Sequence, residues 1–129
     1  MTAEAVDIAR RWRAAAEANS MDEFRALYSA TATIWSSRDR HTLSVDDHMA
    51  AVAKARSMCE EWEYLDVRCQ STDTGFVCEH TVRFGRGGRE WTTTAAIIGI
   101  IEAGCIAHLA EYLGTPVETV TVPNAASPS

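Results

Sequence analysis

The sequence has few of the features that mark metal-binding, membrane-spanning or exported proteins. Only four of its 129 residues are cysteine, and none lies in a CxxC or Cys/His ligand spacing, which argues against a structural zinc site. The longest apolar run, Ala95–Ile101, is far shorter than a bilayer requires. The segment MTAEAVDIARR at the start has no apolar signal core. These absences predict a cytoplasmic protein that does not interact with membranes.

Basic charge is also scarce. Twelve Lys and Arg residues stand against 18 Asp and Glu residues, so the formal net charge is −6. Nucleic acids and anionic membranes bind basic surfaces, and neither is therefore expected as a partner. The sequence contains no phosphate-binding glycine loop, dinucleotide fingerprint or Ser-His-Asp spacing. We expect neither a metal nor another cofactor.

What the chain does have is enough apolar material for one core. Hydrophobic residues make up 47% and charged residues 23%, the composition of an ordinary globular domain. We expect a single domain over residues 1–123. Residues 124–129, with the sequence NAASPS, are expected to form a disordered tail.

The first half of the chain predicts three helices. Apolar residues recur at helical spacing, and Ser20 and Ser44 are each followed three residues later by an acidic residue, as helix caps require. The predicted helices are Glu4–Asn19, Met21–Ser29 and Val45–Cys59. The residues of the third helix expected to face inward are Met49, Val52, Ala53 and Met58.

Strand patterns occupy most of the remaining sequence. Alternation of apolar and polar residues is clearest between residues 75 and 114, where glycines separate three segments. The predicted strands are Ala30–Ser36, Glu61–Thr72, Phe76–Arg86, Arg89–Glu102, Cys105–Leu113 and, weakly, Val117–Val122, with a polar loop at Ser37–Leu43.

The two hairpins within residues 75–114 can be given a register. A turn at Gly87-Gly88 sets Phe84 opposite Trp91, Val82 opposite Thr93 and His80 opposite Ala95. A three-residue loop at Glu102-Ala103-Gly104 sets Ala95 opposite Glu111 and Ile97 opposite Leu109. His80, Ala95 and Glu111 would then form one row across the sheet. A two-residue loop would instead bring His108 to that face.

The order of elements and the ending IIEAGCIAHLAEYLG resemble the nuclear transport factor 2-like superfamily. The ending is similar to the family pattern of an apolar pair, Asp/Glu-x-Gly, an Ile, and then Glu/Asp-Tyr-x-Asp, except that Gly114 replaces the final Asp. The segment GFVCEHTVRF resembles a strand of the SnoaL-like members. The resemblance implies a cone-shaped α+β fold, in which a curved antiparallel sheet wraps around about three N-terminal helices and encloses a pocket.

The resemblance also implies site residues. Glu111 falls on one catalytic Asp of the limonene epoxide hydrolases, but His80 replaces their Arg and Val82 replaces their second Asp. Trp35 and Ser37 fall where those enzymes hold the attacking water. The Asp–Arg–Asp device is therefore expected to be absent. SnoaL-like polyketide cyclases also carry their base at the position of Glu111, and that comparison fits better.

Glu111 and His80 are the candidate catalytic residues. A carboxylate on an apolar face acquires the raised pKa that a general acid or base needs. The alternatives are a structural Glu111 paired with Arg83 or Arg68, and a core His80 satisfied by a hydrogen bond. The residues expected to line the pocket are Tyr28, Trp35, Ser37, Asp39, Val82, Phe84, Trp91, Thr93, Ala95 and Leu109.

Several candidates also have simpler interpretations. Tyr28 could donate its hydroxyl to a ligand, or it could be a packed helix residue. Asp39 could equally belong to a solvated loop paired with its arginine neighbours. We assign His48 and His108 to the surface or to an interface. The turn at Asp73-Thr74 sets Cys69 opposite Cys78, so a disulfide is possible there. Two free thiols are expected instead, because the cytoplasm is reducing and cross-strand bridges have an awkward geometry.

These observations predict a cofactor-free enzyme that binds a small lipophilic molecule and isomerises, cyclises or eliminates by acid/base chemistry. One alternative is an epoxide hydrolase with a rearranged site, in which His80 and Glu111 act together. Another is a ligand-binding or dimerising domain without catalysis. The outer face of the sheet is apolar enough for homodimerisation, through Thr92, Thr94, Ile98 and Ile100.

Overall fold

A computed structural model of the chain describes residues 3–119, which form helices packed on one curved, mixed sheet. The elements are α1 (Ala3–Ala18), α2 (Met21–Ala26), β1 (Tyr28–Ser36), β2 (His41–Ser44), α3 (Val45–Ser57), β3 (Glu61–Ser71), β4 (Gly75–Arg86), β5 (Arg89–Glu102), β6 (Cys105–Leu113) and β7 (Val117–Glu118). The sheet order is β2-β1-β6-β5-β4-β3, with β7 paired to β5.

The predicted architecture is confirmed, with one change in the direction of a strand pair. β1 runs parallel to β6, whereas the other paired strands are antiparallel. The predicted tail, residues 124–129, and the end of the predicted strand Val117–Val122 lie outside the described residues. No helix within residues 3–119 is long and apolar enough to cross a bilayer.

The N-terminal helices cover part of the sheet and form the core with it. The apolar stripe of α1 is buried as its spacing predicts, with Ile8 and Trp12 at 2% and 5% exposure. Ser20 and Ser44 cap α2 and α3, each accepting a hydrogen bond from the amide three residues later. These caps confirm both predicted helix starts.

Two helix predictions were wrong in detail. The second helix ends at Ala26, because the Leu27 carbonyl accepts a hydrogen bond from the Ile106 amide (2.8 Å) and the chain enters β1 at Tyr28. Tyr28 is therefore a strand residue. In α3 the buried residues are Val45 and His48, whereas Ala53 is exposed and Met58 is 53% exposed as the C-cap.

The register of β4 with β5 is confirmed, and that of β5 with β6 is not. Phe84, Val82 and His80 lie opposite Trp91, Thr93 and Ala95 as predicted. Glu111, however, lies opposite Ile97, and Leu113 takes the predicted place opposite Ala95.

The register of β5 with β6 differs from the predicted one because two local features each shift it by one residue. The turn contains two residues, Ala103 and Gly104, both at positive φ (51° and 82°), and a β-bulge at Ala107 adds one residue to β6. Each shift alone would move Glu111 to the other face. Together they keep it on the predicted face, with its partner on β5 displaced by two residues, from Ala95 to Ile97.

Cys69 and Cys78 are directly opposed, as predicted, but they are joined in a disulfide. The expectation of two free thiols there was wrong. The pairing of β3 with β4 brings the two Cα atoms to 4.0 Å, so the sulfur atoms meet without any movement of the backbone. Cys59 and Cys105 are free.

Candidate active site

A cavity of about 370 Å³ lies between α3 and the inner face of the sheet. Strands β1 to β6 and α3 all contribute side chains to its wall, and residues 114–116 close one side. Its polar members include Ser36, Ser37, Arg38, Asp39, His48, Tyr64, His80, Thr93 and Glu111, and its larger apolar members include Leu43, Val52, Trp62, Val82, Phe84 and Leu113.

Glu111 brings a half-buried carboxylate to this cavity. Strand β6 sets it in register with Ser36 on β1 and Ile97 on β5. Within residues 3–119 the carboxylate forms no hydrogen bond or ion pair. Arg83 pairs with Glu63, and Arg68 pairs with Glu79, so the alternative of a structural ion pair at Glu111 is not realised.

The surroundings of Glu111 favour its protonated form. Burial raises the pKa of the carboxyl group above its ordinary value, because a charge is costly to keep away from water. The nearby Arg38 guanidinium lowers that pKa, and the Asp39 carboxylate raises it again. The pKa of Glu111 therefore depends on its burial and on the two charges of the loop after β1.

His80 also lines the cavity, but not beside Glu111. Glu111 lies two strands away and two residues along the strand, so the two backbones are roughly 12 Å apart by ordinary sheet spacings. His80 is 6% exposed, its ring lies 5.4 Å from that of Trp12 and 5.2 Å from that of Tyr64, and its Nδ1 has no hydrogen-bond partner. Burial lowers the pKa of His80 to about 4, so the ring is neutral at pH 7.

His48 was assigned to the surface or to an interface, but the structure buries it within the chain. The side chain is 8% exposed and lines the cavity, because Val45, His48 and Val52 fall on the same side of α3 and that side faces the sheet. Burial lowers the pKa of His48, Arg38 lowers it further, and Asp39 acts in the opposite direction. The spacing of the three residues was the signal that could have identified this position.

Five of the predicted lining residues reach the cavity. They differ in their contacts: the Ser37 hydroxyl accepts a hydrogen bond from the Leu113 amide (2.9 Å), and Asp39 forms an exposed ion pair with Arg38 (4.0 Å). The five residues are Ser37, Asp39, Val82, Phe84 and Thr93.

The other five predicted lining residues do not line this cavity. Trp35 lies on the outer face, where its ring packs on Tyr112 at 5.4 Å, because strand alternation places Ser36 inward instead. Trp91 stacks on Phe84 at 5.8 Å, beyond the cavity wall. Leu109 belongs to the core, and Ala95 is buried opposite Leu113 on the neighbouring strand because the register is shifted.

Tyr28 is placed behind the cavity wall. Burial raises the pKa of its hydroxyl, and the negative charge of Glu111 raises it further. The Trp12 indole N–H approaches closely enough to act against this shift, although it forms no hydrogen bond of normal geometry. Tyr28 is thus half-buried near Glu111 without reaching the cavity.

An aromatic wall formed by Trp62 and Tyr64 on β3 with Phe84 on β4 was not predicted from the sequence. The Trp62 ring lies 5.7 Å from that of Phe84 and 6.5 Å from that of Tyr64. Burial raises the pKa of Tyr64, and Glu111 acts in the same direction. Trp62 and Tyr64 share one face of β3 by simple alternation, so the period of two was the available signal.

Residues 3–119 contain no group of three or more His, Cys, Asp or Glu side chains placed to hold a metal ion. Most of the titratable groups around the cavity are instead dispersed over different elements. The arrangement offers the carboxyl groups of Glu111 and Asp39, two imidazoles and several hydroxyls, which suits proton transfer and hydrogen bonding.

Comparisons with known proteins identify the fold. No protein-family model and no curated protein sequence matches the chain. Among solved structures, a provisionally assigned polyketide cyclase from Pseudomonas putida KT2440 is 21% identical, with 87% of this chain and 91% of that chain covered and a TM-score of 0.69.

Two further structures broaden the comparison. An NTF-2 like protein from Burkholderia xenovorans LB400 is 12% identical, with 98% and 94% of the two chains covered and a TM-score of 0.60. An LEH-like epoxide hydrolase from Mycobacterium tuberculosis is 13% identical, with 87% and 84% covered and a TM-score of 0.65. At such identities a likeness shows the fold, and the chain has the nuclear transport factor 2-like fold that its sequence predicts.

Proposed function

We propose that the protein is a cofactor-free enzyme that binds a small lipophilic molecule in the cavity and transfers protons with Glu111. The observation that carries the proposal is the Glu111 carboxyl group, which has no hydrogen-bond or ion-pair partner within residues 3–119 and lies in a largely apolar cavity. Burying a carboxyl group without a partner lowers the stability of the folded protein, and such groups are found mainly at functional sites.

The reaction class follows from what one carboxylate can do. In its ionised form Glu111 can remove a proton from a carbon next to a carbonyl group, and in its protonated form it can return that proton elsewhere. Removal and return at different atoms give isomerisation, and loss of a leaving group gives elimination. Because burial raises the pKa of Glu111, its conjugate acid is a weaker acid and the carboxylate a stronger base than in water.

The comparisons support an enzyme-like fold without fixing the reaction. The Pseudomonas protein carries a polyketide cyclase assignment, and the Mycobacterium protein is an epoxide hydrolase. Epoxide opening by a His80–Glu111 pair is less well supported here, because the two side chains start from backbones two strands apart.

Deuterium exchange tests the proposal without knowledge of the natural substrate. A panel of small ketones in D₂O, followed by proton NMR, reports removal of the proton next to the carbonyl. We expect Glu111→Gln to slow enzyme-dependent exchange by about 100-fold or more, the usual contribution of a general base. Glu79→Gln, on the exposed outer face, is the matched control and should exchange at the wild-type rate. Equal rates for Glu111→Gln and wild type would refute the proposal.

We also propose that the protein forms a homodimer through the outer face of β5 and β6. Ile98, Ile100 and Tyr112 are 43%, 37% and 47% exposed there, and they alternate with residues that face the cavity or core. Apolar side chains clustered on one face favour contact with another surface.

A further inference from the structure

The turn after β1 is attached to β6 by two hydrogen bonds that both involve Ser37. The Ser37 amide donates to the carbonyl oxygen of Glu111 (2.8 Å), and the Ser37 hydroxyl accepts from the amide of Leu113 (2.9 Å). Both of these β6 groups lie within two residues of the side chain that is the proposed base. Ser37 is therefore bound to the backbone that carries Glu111.

These two bonds continue the parallel ladder of β1 and β6 by one residue. Ser36 and Glu111 are the last register partners of that ladder. In a parallel pair, one residue donates its amide to a carbonyl of the neighbouring strand, and its own carbonyl accepts from the amide two residues further along. Ser37 makes the first bond with its backbone, but it makes the second with its side chain.

The side chain replaces the carbonyl because the backbone leaves the ladder at this residue. Residues 37–40 form a turn, the Arg40 amide donates to the Ser36 carbonyl oxygen (2.8 Å), and the chain then pairs back along β1 as β2. A serine hydroxyl can act as the acceptor in place of a backbone carbonyl. The Leu113 amide thus keeps a partner although β1 has ended.

The turn carries two charges that act on the proposed base. Arg38 and Asp39 follow Ser37 directly, form an ion pair with each other (4.0 Å) and line the cavity together with Glu111. Burial raises the pKa of Glu111, Arg38 lowers it, and Asp39 raises it. A charge that moves freely in solvent is screened beyond about 10 Å at about 0.1 M salt. The influence of the turn on Glu111 therefore depends on what holds the turn in place.

Ser37 is the residue that holds the turn against β6. The hydrogen bonds from the amides of Arg38 (3.3 Å) and Arg40 attach the turn to Ser36, and so to β1. The other titratable groups around Glu111 belong to a helix or a strand, and within the described residues β5 contributes none to the cavity wall. They are Tyr28 on β1, His48 on α3, Tyr64 on β3 and His80 on β4.

We propose that Ser37 is a positioning residue: its hydroxyl anchors the turn to β6 and so holds the charges of the turn, Arg38 and Asp39, beside the proposed base. This inference rests on the proposed function of Glu111 for its meaning in catalysis. It adds to that function a device that sets the proton affinity of the base. The anchoring itself is independent of any substrate.

Amide hydrogen exchange followed by NMR tests the anchor. Ser37→Ala removes the acceptor of the Leu113 amide, and we expect this amide to exchange at least about tenfold faster than in wild type. Ser37→Thr keeps a hydroxyl and should restore slow exchange. Thr72→Ala is the matched control, because the Thr72 hydroxyl also accepts from a backbone amide, that of Gly75 (3.1 Å), but in the turn between β3 and β4. It should leave the exchange of the Leu113 amide unchanged.

A double-mutant cycle tests whether the anchor positions the charges. The ¹³C shift of the Glu111 carboxyl group gives its titration midpoint, which Arg38→Gln should move to higher pH. In the Ser37→Ala background the same substitution should move the midpoint by about half as much or less, because the charge is no longer held beside the carboxyl group. The full shift should return in Ser37→Thr and persist in Thr72→Ala. A role of Ser37 in stability alone would not change this coupling.

Three results would overturn the inference. They are an unchanged rate of Leu113 exchange in Ser37→Ala, a full shift by Arg38→Gln in that background, and the same losses in Ser37→Thr as in Ser37→Ala. If Ser37→Ala does not fold, Ser37→Cys takes its place in both measurements, because a thiol is close in size to a hydroxyl but is only a weak acceptor.

The two proposals fail in different experiments, since neither measurement on Ser37 needs a substrate. Normal deuterium exchange of ketones by Glu111→Gln refutes the catalytic role of Glu111 and leaves the anchor standing. An unchanged coupling between Arg38 and Glu111 in Ser37→Ala refutes the anchor and leaves the catalytic role standing.

Discussion

Ser36 and Glu111 are register partners in the parallel ladder between β1 and β6, and both line the same cavity. The loop that follows β1 is attached to the same strand, because the Ser37 amide donates to the Glu111 carbonyl oxygen (2.8 Å). The Ser36 hydroxyl also accepts a hydrogen bond from the Arg38 amide (3.3 Å). The charges of Arg38 and Asp39 are therefore held beside the carboxyl group on which the proposed chemistry depends.

The first prediction concerns the stability cost of Glu111. Its folded-state pKa is raised above the ordinary value of 4.5, so between that value and the raised pKa the folded state binds more protons than the unfolded state. The free energy of unfolding therefore falls as pH rises through this window. We expect Glu111→Gln to be more stable than wild type at pH 8 and to lose this advantage by pH 4.

Urea denaturation at a series of pH values measures this effect. Glu79→Gln is again the control, because Glu79 is exposed and paired with Arg68 on the outer face. The prediction fails if Glu111→Gln unfolds at a lower urea concentration than wild type at pH 8.

The second prediction uses the opposite effects of the two loop charges. Arg38 lowers the pKa of Glu111 and Asp39 raises it. Arg38→Gln should therefore move the Glu111 titration to higher pH, and Asp39→Asn should move it to lower pH. The ¹³C shift of the Glu111 carboxyl group measures both titrations. Arg40→Gln, a neighbouring exposed charge with no such effect on Glu111, is the control. Shifts in the same direction for Arg38→Gln and Asp39→Asn would contradict the electrostatic explanation.

The position of Glu111 shows what the sequence can and cannot specify. Alternation along β6 predicts its face, because a period of two follows from strand geometry alone. The residue of β5 that lies opposite Glu111 depends on the length of the turn and on the bulge at Ala107, and a bulge has no reliable sequence signal. The predicted turn was one residue too long, and the bulge was not predicted. Either error alone would have put Glu111 on the wrong face, but together they leave the face correct and the opposing residue wrong.

His48 and Trp35 show the limits of assigning burial by residue type. A histidine among aspartates on α3 suggests solvent, yet the helix turns this residue towards the cavity. A tryptophan suggests an interior position, yet alternation along β1 turns Trp35 outward and Ser36 inward. In both cases the period of the element determined the position and the hydrophobicity of the side chain did not.

The third prediction concerns the Cys69–Cys78 disulfide. The bond closes a short loop, with a sequence separation of nine, so its reduction should lower the free energy of unfolding by about 2–3 kcal/mol in the chain-entropy description. Reduced wild type is a cleaner comparison than a substitution, because Cys78 is fully buried and its loss would also remove core contacts. We expect the denatured, unreduced protein to take up two alkyl groups, at Cys59 and Cys105. Uptake of four would show that the bond is absent.

The last prediction concerns the proposed dimer. Ile98 lies near the centre of the outer face, paired with Ala110 on β6 and Val77 on β4, and it is 43% exposed. A lysine at this position would place a charge within the contact, where desolvation is costly. Light scattering should give the wild type twice the mass of the 14.1 kDa chain and Ile98→Lys the mass of one chain. Val6→Lys is a matched control, because Val6 is a similarly exposed apolar residue (38%) on α1 instead of the sheet, and it should remain dimeric. A monomeric wild type would exclude the dimer, and a dimeric Ile98→Lys would move the contact to another surface.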